Sequence, residues 1–315
     1  MSELYDTPKH DDLIYDVGTH RGEDAEFYLQ NGFRVVAFEA DPDLVQHCRV
    51  RLKLFIDQGR LEIVEGAIVS PNSIEAGQGK TPFYRNDDVS AWGTVRADWA
   101  ERNVGLGTSN SVLEVEVTDF ASVMRRRGVP HYLKIDIEGL DMVCVDALRR
   151  FRERPDYVSM ESDKFSFATI RREIDALVDL GYDSFQAVEQ SDIPHAQSPP
   201  YPAREGEYVD QRFEKGASGL FGAELAGEWK SRTQILRQYR LIRIGYFLLG
   251  DGGILKGRHF PGAGTLRRYV QRPVRLLTKA PVPGWYDTHA RHSSVTDGAS
   301  FRRPGTGRQV LSGKC

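Results

Sequence analysis

The sequence has little that would suggest a secreted or membrane-spanning protein. Its three cysteines, Cys48, Cys144 and Cys315, form no C-x-x-C pair, so we expect no disulfide framework. No uninterrupted apolar run approaches the length that a membrane span needs. No leader with a charged and then an apolar part stands at the N-terminus. These absences predict a cytoplasmic protein with reduced thiols.

Patterns typical of metal sites, RNA-binding modules and internal repeats are also missing. No two histidines have the spacing expected of metal ligands, so we expect no bound metal. His289 and His292 are three residues apart and could share a helix face, but packing or surface roles are favoured. Aromatic residues are not interleaved with the basic ones, which weighs against nucleic acid as a partner.

Basic residues are unevenly distributed along the 315-residue chain. The net charge is −3, yet residues 231–315 contain 16 Lys/Arg against 3 Asp/Glu. Such a tail could dock on the acidic body, hold an anionic substrate, or contact a membrane surface or nucleic acid. The length suits one α/β domain with an appendage. We predict a cofactor-binding domain over 1–190, and a linker, substrate-side loops and basic extension packed on it over 191–315.

The stretch from Leu13 to Glu39 predicts a strand, a loop, a helix and a second strand. Leu13-Ile14-Tyr15 is a short apolar run that ends at Asp16 and opens into a turn from Gly18 to Gly22. A helix without Gly or Pro follows and stops at Asn31-Gly32. The second apolar run ends at Glu39. Each strand of this βαβ unit therefore ends in an acid.

The spacing of the glycines indicates which cofactor this unit could hold. A dinucleotide-binding turn requires G-x-G-x-x-G, but His20 and Glu23 occupy the second and third glycine positions. A pyrophosphate would be poorly placed beside them. S-adenosylmethionine has no phosphate: Asp16 suits its ammonium group, and Glu39 can accept its ribose hydroxyls. The simpler alternative, a plain turn with a surface carboxylate, is less favoured because Glu39 follows Gly18 by 21 residues.

The segment from His131 to Gly139 predicts the catalytic region. Lys134, Asp136 and Glu138 alternate with apolar residues, so a strand would place them on one face. The carboxyl ends of parallel strands are where open α/β sheets bind ligands. Asp136 is the first choice for a carboxylate in the cleft, and Glu138 and Glu161 are alternatives. Ion pairs with Lys134 or with arginines remain an equal explanation for these two glutamates, and an acidic cluster could also hold Mg²⁺.

Three segments together resemble the FkbM-type S-adenosylmethionine-dependent methyltransferases: Ile14–Gly22, Val36–Pro42 and Leu133–Gly139. The resemblance extends over about residues 13–190. It implies a Rossmann-like class I methyltransferase sheet with helices on both faces, followed here by the basic C-terminal extension. It also implies O-methylation, often of a sugar or polyketide-type hydroxyl. Thr19 and His20 stand where the family commonly has Ala-Asn.

The resemblance and the residues together predict the site. The methionine end, the ribose and the methyl-transfer cleft would each be lined by residues at strand ends. We expect the cofactor-binding residues to be Asp16, Gly18, Thr19, His20, Gly22, Glu39, Ala40, Asp41, Ala67 and Asp136. We expect the catalytic residues to be Asp136, Glu138, Glu161 and Lys134.

These observations predict an S-adenosylmethionine-dependent O-methyltransferase that acts on a hydroxyl of a sugar, nucleotide-sugar or glycan. The partner would be a small-molecule or glycan substrate, which could carry phosphate. Alternatives are an O-methyltransferase of a polyketide-type small molecule, an RNA methyltransferase or nucleic-acid-binding protein that uses the basic tail, and a non-catalytic binding domain.

Overall fold

The computed structural model describes residues 4–162, 166–249 and 285–295, in which strands and helices alternate through much of the chain. The strands are β1 (Lys9–Val17), β2 (Arg34–Glu39), β3 (Leu61–Glu65), β4 (Ala67–Ile68), β5 (Lys80–Asn86), β6 (Asn110–Thr118), β7 (Val129–Ile135), β8 (Tyr157–Glu161), β9 (Tyr182–Glu189) and β10 (Tyr286–His292). The helices are α1 (Glu23–Gln30), α2 (Pro42–Arg51), α3 (Lys53–Asp57), α4 (Ile74–Gln78), α5 (Ala97–Gly105), α6 (Phe120–Arg127), α7 (Asp141–Leu148), α8 (Phe167–Asp179), α9 (Ile193–Ala196) and α10 (Arg232–Leu249).

Seven strands form the main sheet in the order β3-β2-β1-β7-β8-β10-β9. All of its strands run parallel except β10, which is antiparallel to both of its neighbours. The chain spreads outward from β1 through β2 and β3, and then returns to β7 on the other side of β1. In open α/β sheets such a reversal is where the ligand-binding crevice lies, which here is beyond the carboxyl ends of β1 and β7. The predicted α/β fold is confirmed.

The apolar residues of the strands are covered on both faces of this sheet, as a largely parallel sheet requires. Tyr15 and Leu133 pack on one face in a cluster with α6, α7, α8 and α10. Ile14 and Tyr132 pack on the other face with α1 and with the loop around Phe221. Phe221 lies flat on Tyr132, with 4.5 Å between the ring centroids. The predicted arrangement of helices on both faces is therefore confirmed.

A second sheet of three strands lies beyond β3, in the order β4-β6-β5. The run from Leu61 to Val69 predicts one strand, but the chain turns at Gly66, where φ is +131°. A Cβ atom there would lie 2.6 Å from Thr118 Oγ1, so this position requires glycine. The turn divides the expected strand into β3 in the main sheet and β4 in the small one. The connection over residues 71–109 supplies α4, β5 and α5.

The extension contributes a strand to the main sheet. β10 lies between β8 and β9, and its Asp287 faces Glu161 in register. His289 and His292 therefore lie on a strand, not on the helix considered from their spacing. The apolar residues of 233–249 predict an amphipathic or buried helix, and this helix is observed as α10. Residues 250–284 and 296–315, which make up most of the basic tail, lie outside the described residues.

Within the described ranges, no helix is both long and apolar enough to cross a membrane.

Candidate active site

The loop after β1 holds three strand ends together. Gly18 has φ of +81°, and a Cβ atom there would lie 1.9 Å from the carbonyl oxygen of Asp136. Only glycine allows this approach of the loop to the end of β7. The backbone N–H groups of Gly18 and Thr19 both donate to the Phe38 carbonyl at 3.0 Å, which ties the loop to β2. The loop therefore lies at the reversal point of the sheet.

Glu39 ends β2 and binds the same loop. Its Oε2 atom accepts the His20 N–H at 2.9 Å, and Oε1 accepts the N–H groups of Ala40 and Asp41 at 2.9 Å each. A carboxylate has about four lone-pair positions, so about one remains, on Oε2, to accept a hydroxyl. Burial raises the pKa of Glu39 to about 7, while these amide donors oppose the rise. Glu39 is thus held in one orientation by the backbone.

Asp41 and Ala67 lie on either side of Glu39. Asp41 caps α2 by accepting the Asp43 N–H at 2.9 Å, and Arg85 holds both of its oxygens at 2.5 and 2.6 Å. Its carboxylate is therefore already engaged in the structure. Ala67 is buried and follows Gly66, whose N–H donates to the Glu39 carbonyl at 2.9 Å. Both residues belong to the wall around Glu39.

A buried ion cluster lies beneath the loop. Lys134 Nζ is 2.9 Å from Asp16 and 3.5 Å from Asp24, and Thr19 donates its hydroxyl to Asp16 at 2.6 Å. Burial opposes the lysine charge, but the two carboxylates outweigh it and raise the pKa of Lys134 well above its usual value. Burial raises the pKa of Asp24 to about 6. Lys134 is only 4% exposed, so it acts on the crevice through Asp16.

Three acidic side chains meet beyond the carboxyl ends of β7 and β8. One carboxylate oxygen from each of Asp136, Glu138 and Glu161 lies within 4.8 Å of the others. The strand ends at Ile135, so Asp136 and Glu138 do not share a strand face with Lys134 as we expected. Glu138 instead has φ of +44°, an unusual backbone conformation for a glutamate. The turn, rather than strand alternation, brings these acids together.

The crowding of these acids changes their protonation. Asp136 is exposed to the crevice but closely surrounded by protein, and this desolvation raises the pKa of Asp136 to about 7. Lys134 opposes the rise, whereas Glu161 and Asp141 add to it. Desolvation, followed by the same neighbouring acids, raises the pKa of Glu138 well above its usual value. Near neutral pH the cluster can both release and accept a proton.

Two further acids of this region were not among the predicted site residues. Asp287 on β10 faces Glu161, and desolvation together with Asp136 and Glu161 raises the pKa of Asp287 well above its usual value. Asp141 accepts the Ile137 N–H at 3.2 Å, and burial raises its pKa to about 6. The alternation Tyr-Asp-Thr-His-Ala over 286–290 was a signal for a strand, but it did not reveal the neighbours of that strand.

A family model described as the methyltransferase FkbM domain matches residues 16–184, which is more than half of the chain. The chain belongs to the FkbM methyltransferase family. The predicted family is therefore confirmed, and with it S-adenosylmethionine as the cofactor. None of the curated proteins searched matched the chain.

Several solved structures are distantly similar to this FkbM methyltransferase. The StiE O-MT, residues 961–1257, has 9% identity and a TM-score of 0.35, with 90% of this chain and 69% of that chain covered. A SAM-dependent methyltransferase from Thiobacillus denitrificans, solved with S-adenosylhomocysteine, has 10% identity, coverage of 90% and 86%, and a TM-score of 0.33. A SAM-dependent methyltransferase from Archaeoglobus fulgidus has 9% identity, coverage of 91% and 88%, and a TM-score of 0.34.

The residues around the loop suit the cofactor of this FkbM methyltransferase. Asp16, Glu23 and Glu39 lie on or beside the loop, and the nearby cation Lys134 is already paired. This acidic surrounding favours a ligand with an ammonium and a sulfonium over one with a pyrophosphate. The open position on Glu39 Oε2 suits a ribose hydroxyl. The individual contacts predicted for the ten cofactor-binding residues stay predictions.

The chain over residues 90–99 covers one side of the site in this FkbM methyltransferase. Ser90 Oγ lies 2.8 Å from His20 Nε2, so this segment contacts the cofactor loop. Thr94 donates its hydroxyl to the Glu138 carbonyl at 3.0 Å, and Arg96 donates to the Gly139 carbonyl at 3.3 Å. These bonds hold the turn that carries Glu138. This segment thus contacts both the cofactor loop and the turn that carries Glu138.

Mg²⁺ and Ca²⁺ are bound by carboxylate oxygens. The oxygens of the acidic cluster lie close enough together to bind one such ion. Such groups of acids occur without an ion as well. The expectation that the protein uses no metal therefore stays a prediction.

Proposed function

We propose that this FkbM methyltransferase transfers a methyl group to a hydroxyl of a sugar, nucleotide-sugar or glycan. The observation that supports this proposal is the position and pKa of Asp136. Its backbone carbonyl contacts the cofactor loop at Gly18, while its side chain is exposed to the crevice beside Glu138 and Glu161. A carboxyl group with a pKa of about 7 is partly ionised at neutral pH and can accept the proton of a hydroxyl.

The bound cofactor supplies an activated methyl group on a sulfonium. The protein must then hold the acceptor oxygen in line with that methyl group and remove its proton. In our proposal Asp136 takes this proton at its carboxylate. Glu138, Glu161 and Asp287 would accept hydrogen bonds from other hydroxyls of the acceptor and so fix its orientation. A polyhydroxylated acceptor offers the several donors that these carboxylates require.

Lys134 has a positioning role in this proposal. It is buried against Asp16 and lowers the pKa of Asp136, so it limits how far the acidic neighbours raise that pKa. Without Lys134, the pKa of Asp136 would rise further, and less of this carboxyl group would be ionised at neutral pH. We therefore propose that Lys134 contributes through Asp16 and Asp136 and does not contact the acceptor.

The acidic lining of the crevice also distinguishes between the alternative acceptors. A polyketide-type acceptor would favour an apolar lining, whereas four carboxylates face this region. An RNA backbone would be repelled by them, because nucleic-acid binding depends on neutralising phosphates with Lys and Arg. The phosphates of a nucleotide-sugar would have to lie away from the cluster.

The proposal is tested in two steps. Calorimetric titration with S-adenosylhomocysteine first establishes that the purified protein binds the cofactor product. Monosaccharides, nucleotide-sugars and oligosaccharides are then screened with S-adenosylmethionine for a mass gain of one methyl group. We expect at least one to be methylated on oxygen. Methylation confined to apolar phenols, to amines or to RNA would overturn the proposed acceptor class and leave the family assignment intact.

A further inference from the structure

The outer face of α10 is unusual for a surface helix. The helix contains four arginines and no acidic residue. Its inner face, which includes Ile235, Tyr239 and Ile242, is buried against the domain. The outer face nevertheless exposes two large apolar side chains, Leu241 at 43% and Ile244 at 56%. Apolar residues therefore occupy both sides of the helix, and only one side is covered by described residues.

The exposed apolar residues lie among arginines. Arg237, Arg240, Leu241 and Ile244 are all exposed and follow the i, i+3, i+4, i+7 spacing of a single helix face. Next to this stripe, α8 and α10 form a groove of about 280 Å³. The charged side chains that line the groove are Arg171, Arg232, Arg237 and Arg240. Among the described residues, Asp175 is the one carboxylate that pairs with these arginines. It lies 2.5 Å from Arg232 and 3.6 Å from Arg171.

We propose that the arginine stripe and groove of α8 and α10 dock on an anionic membrane surface. Arginines beside exposed aliphatic side chains match a bilayer interface, where lipid phosphates lie next to the hydrocarbon. Nucleic acid fits less well, because Leu241 and Ile244 offer neither stacking nor hydrogen bonds to bases. Residues 250–284 contain seven Lys/Arg and one Asp, so their charge does not complement that of the stripe.

The position of α10 relates this surface to the crevice. Arg232 pairs with Asp175 near the end of α8, while Arg240 lies 5.0 Å over the ring of Phe167 at its start. The two helices are therefore antiparallel, and α10 runs toward the edge of the sheet that carries the acidic cluster. Tyr239 confirms this direction, because its hydroxyl is 2.7 Å from Ser162, the residue after Glu161. Docking through α10 would hold the crevice near the lipid surface, whichever hydroxyl is methylated.

The full chain can be tested by sedimentation with vesicles of phosphatidylcholine, alone or mixed with phosphatidylglycerol. We expect binding to the mixed vesicles only, and weaker binding as salt is added. The variant Arg237→Gln/Arg240→Gln should bind about 25-fold more weakly, since each basic residue near an anionic surface contributes about fivefold. The variant Leu241→Ser/Ile244→Ser should also bind more weakly, because it lacks the apolar side chains that would contact the hydrocarbon of the bilayer.

The matched control is Arg126→Gln/Arg152→Gln, which removes the same charge from exposed positions outside α8 and α10. We expect it to bind vesicles like the unchanged protein. Affinity for S-adenosylhomocysteine reports that each variant is folded. Equal weakening by Arg237→Gln/Arg240→Gln and by the control would overturn the proposal, as would equal binding to neutral vesicles. Displacement by low inorganic phosphate would assign the arginines to a soluble anion instead, and retention of duplex DNA without vesicle binding would assign them to nucleic acid.

Discussion

The two ends of β7 carry charges in opposite arrangements. At its amino end, His131 is buried between two carboxylates, 2.8 Å from Asp156 and 3.1 Å from Glu205. At its carboxyl end, Asp136 lies among other carboxylates, with Glu161 close by. Only the four residues from Tyr132 to Ile135 thus separate a neutralising cluster from one of like charge.

This difference separates stability from chemistry. Burial would lower the pKa of His131, but Asp156 and Glu205 outweigh burial and raise it to about 9, so the histidine is charged and paired at neutral pH. Asp136 has acidic neighbours, and its pKa is raised to about 7. A buried charge that is paired indicates a structural role, whereas like charges crowded together in a crevice indicate a functional site. Each end therefore predicts a different response to substitution.

The largest effect is expected at the carboxyl end of β7. Asp136→Asn should lower the rate of methyl transfer by about 10²- to 10⁴-fold, because the amide cannot accept the hydroxyl proton. Affinity for S-adenosylhomocysteine, measured by calorimetry, should change little. The control Asp210→Asn changes an exposed acid elsewhere and should keep full activity. Full activity of Asp136→Asn would remove the base that we assign.

At the amino end, the effect should be on folding. His131→Gln leaves Asp156 and Glu205 as buried carboxylates without their shared cation, which should lower the free energy of unfolding by about 3–5 kcal/mol. Urea denaturation followed by circular dichroism measures this change. The folded fraction should bind S-adenosylhomocysteine as before. A loss of cofactor affinity with unchanged stability would reverse the roles of the two ends.

Stability should also depend on pH through His131. Its pKa is about 9 in the folded protein and about 6.5 in the unfolded chain, so its stabilising contribution is complete below pH 6.5 and is lost as pH rises through 9. The loss should be about 3 kcal/mol at 1.36 kcal/mol per pKa unit. His131→Gln should abolish this slope. The pKa of Asp136 is also raised in the folded protein, so its effect on the free energy of unfolding falls in a lower window. That free energy should decrease as pH rises from about 4 to about 7.

The smallest effect sharpens the assignment of Asp136. Glu161 raises the pKa of Asp136, so Glu161→Gln should shift the rising limb of the pH–rate profile to lower pH, by about one unit or less. The measurement is kcat/KM for the methylated acceptor, followed from about pH 5 to about pH 9. An unchanged midpoint would show that a group other than Asp136 controls the profile.

The first βαβ unit was predictable because its signals are local. Apolar runs, Gly18 and Gly22 define the strands and turn, and the strand ends coincide with Asp16 and Glu39 as expected. The start of β1 at Lys9, four residues earlier than expected, was not visible. Residues 9–12 are polar, and Lys9 joins the strand through pairing with Val129, which is distant in sequence.

The missed parts of the site depend on long-range contacts. Lys134 and Asp16 are 118 residues apart, so the sequence alone could not show that the lysine is already paired. Asp287 became part of the acidic region only because β10 pairs with β8. The break at Gly66 depends on Thr118, which lies on another strand. Local patterns predicted the elements, whereas these partners required the fold.

The position of β10 has a consequence for how the molecule is made. A ribosome releases β8 and β9 more than a hundred residues before it releases β10, which must lie between them. Until then each of the two has an edge without its final neighbour, and such open edges can pair with other chains. The last step in completing the sheet therefore waits until Tyr286–His292 has been synthesised and can insert between strands formed earlier.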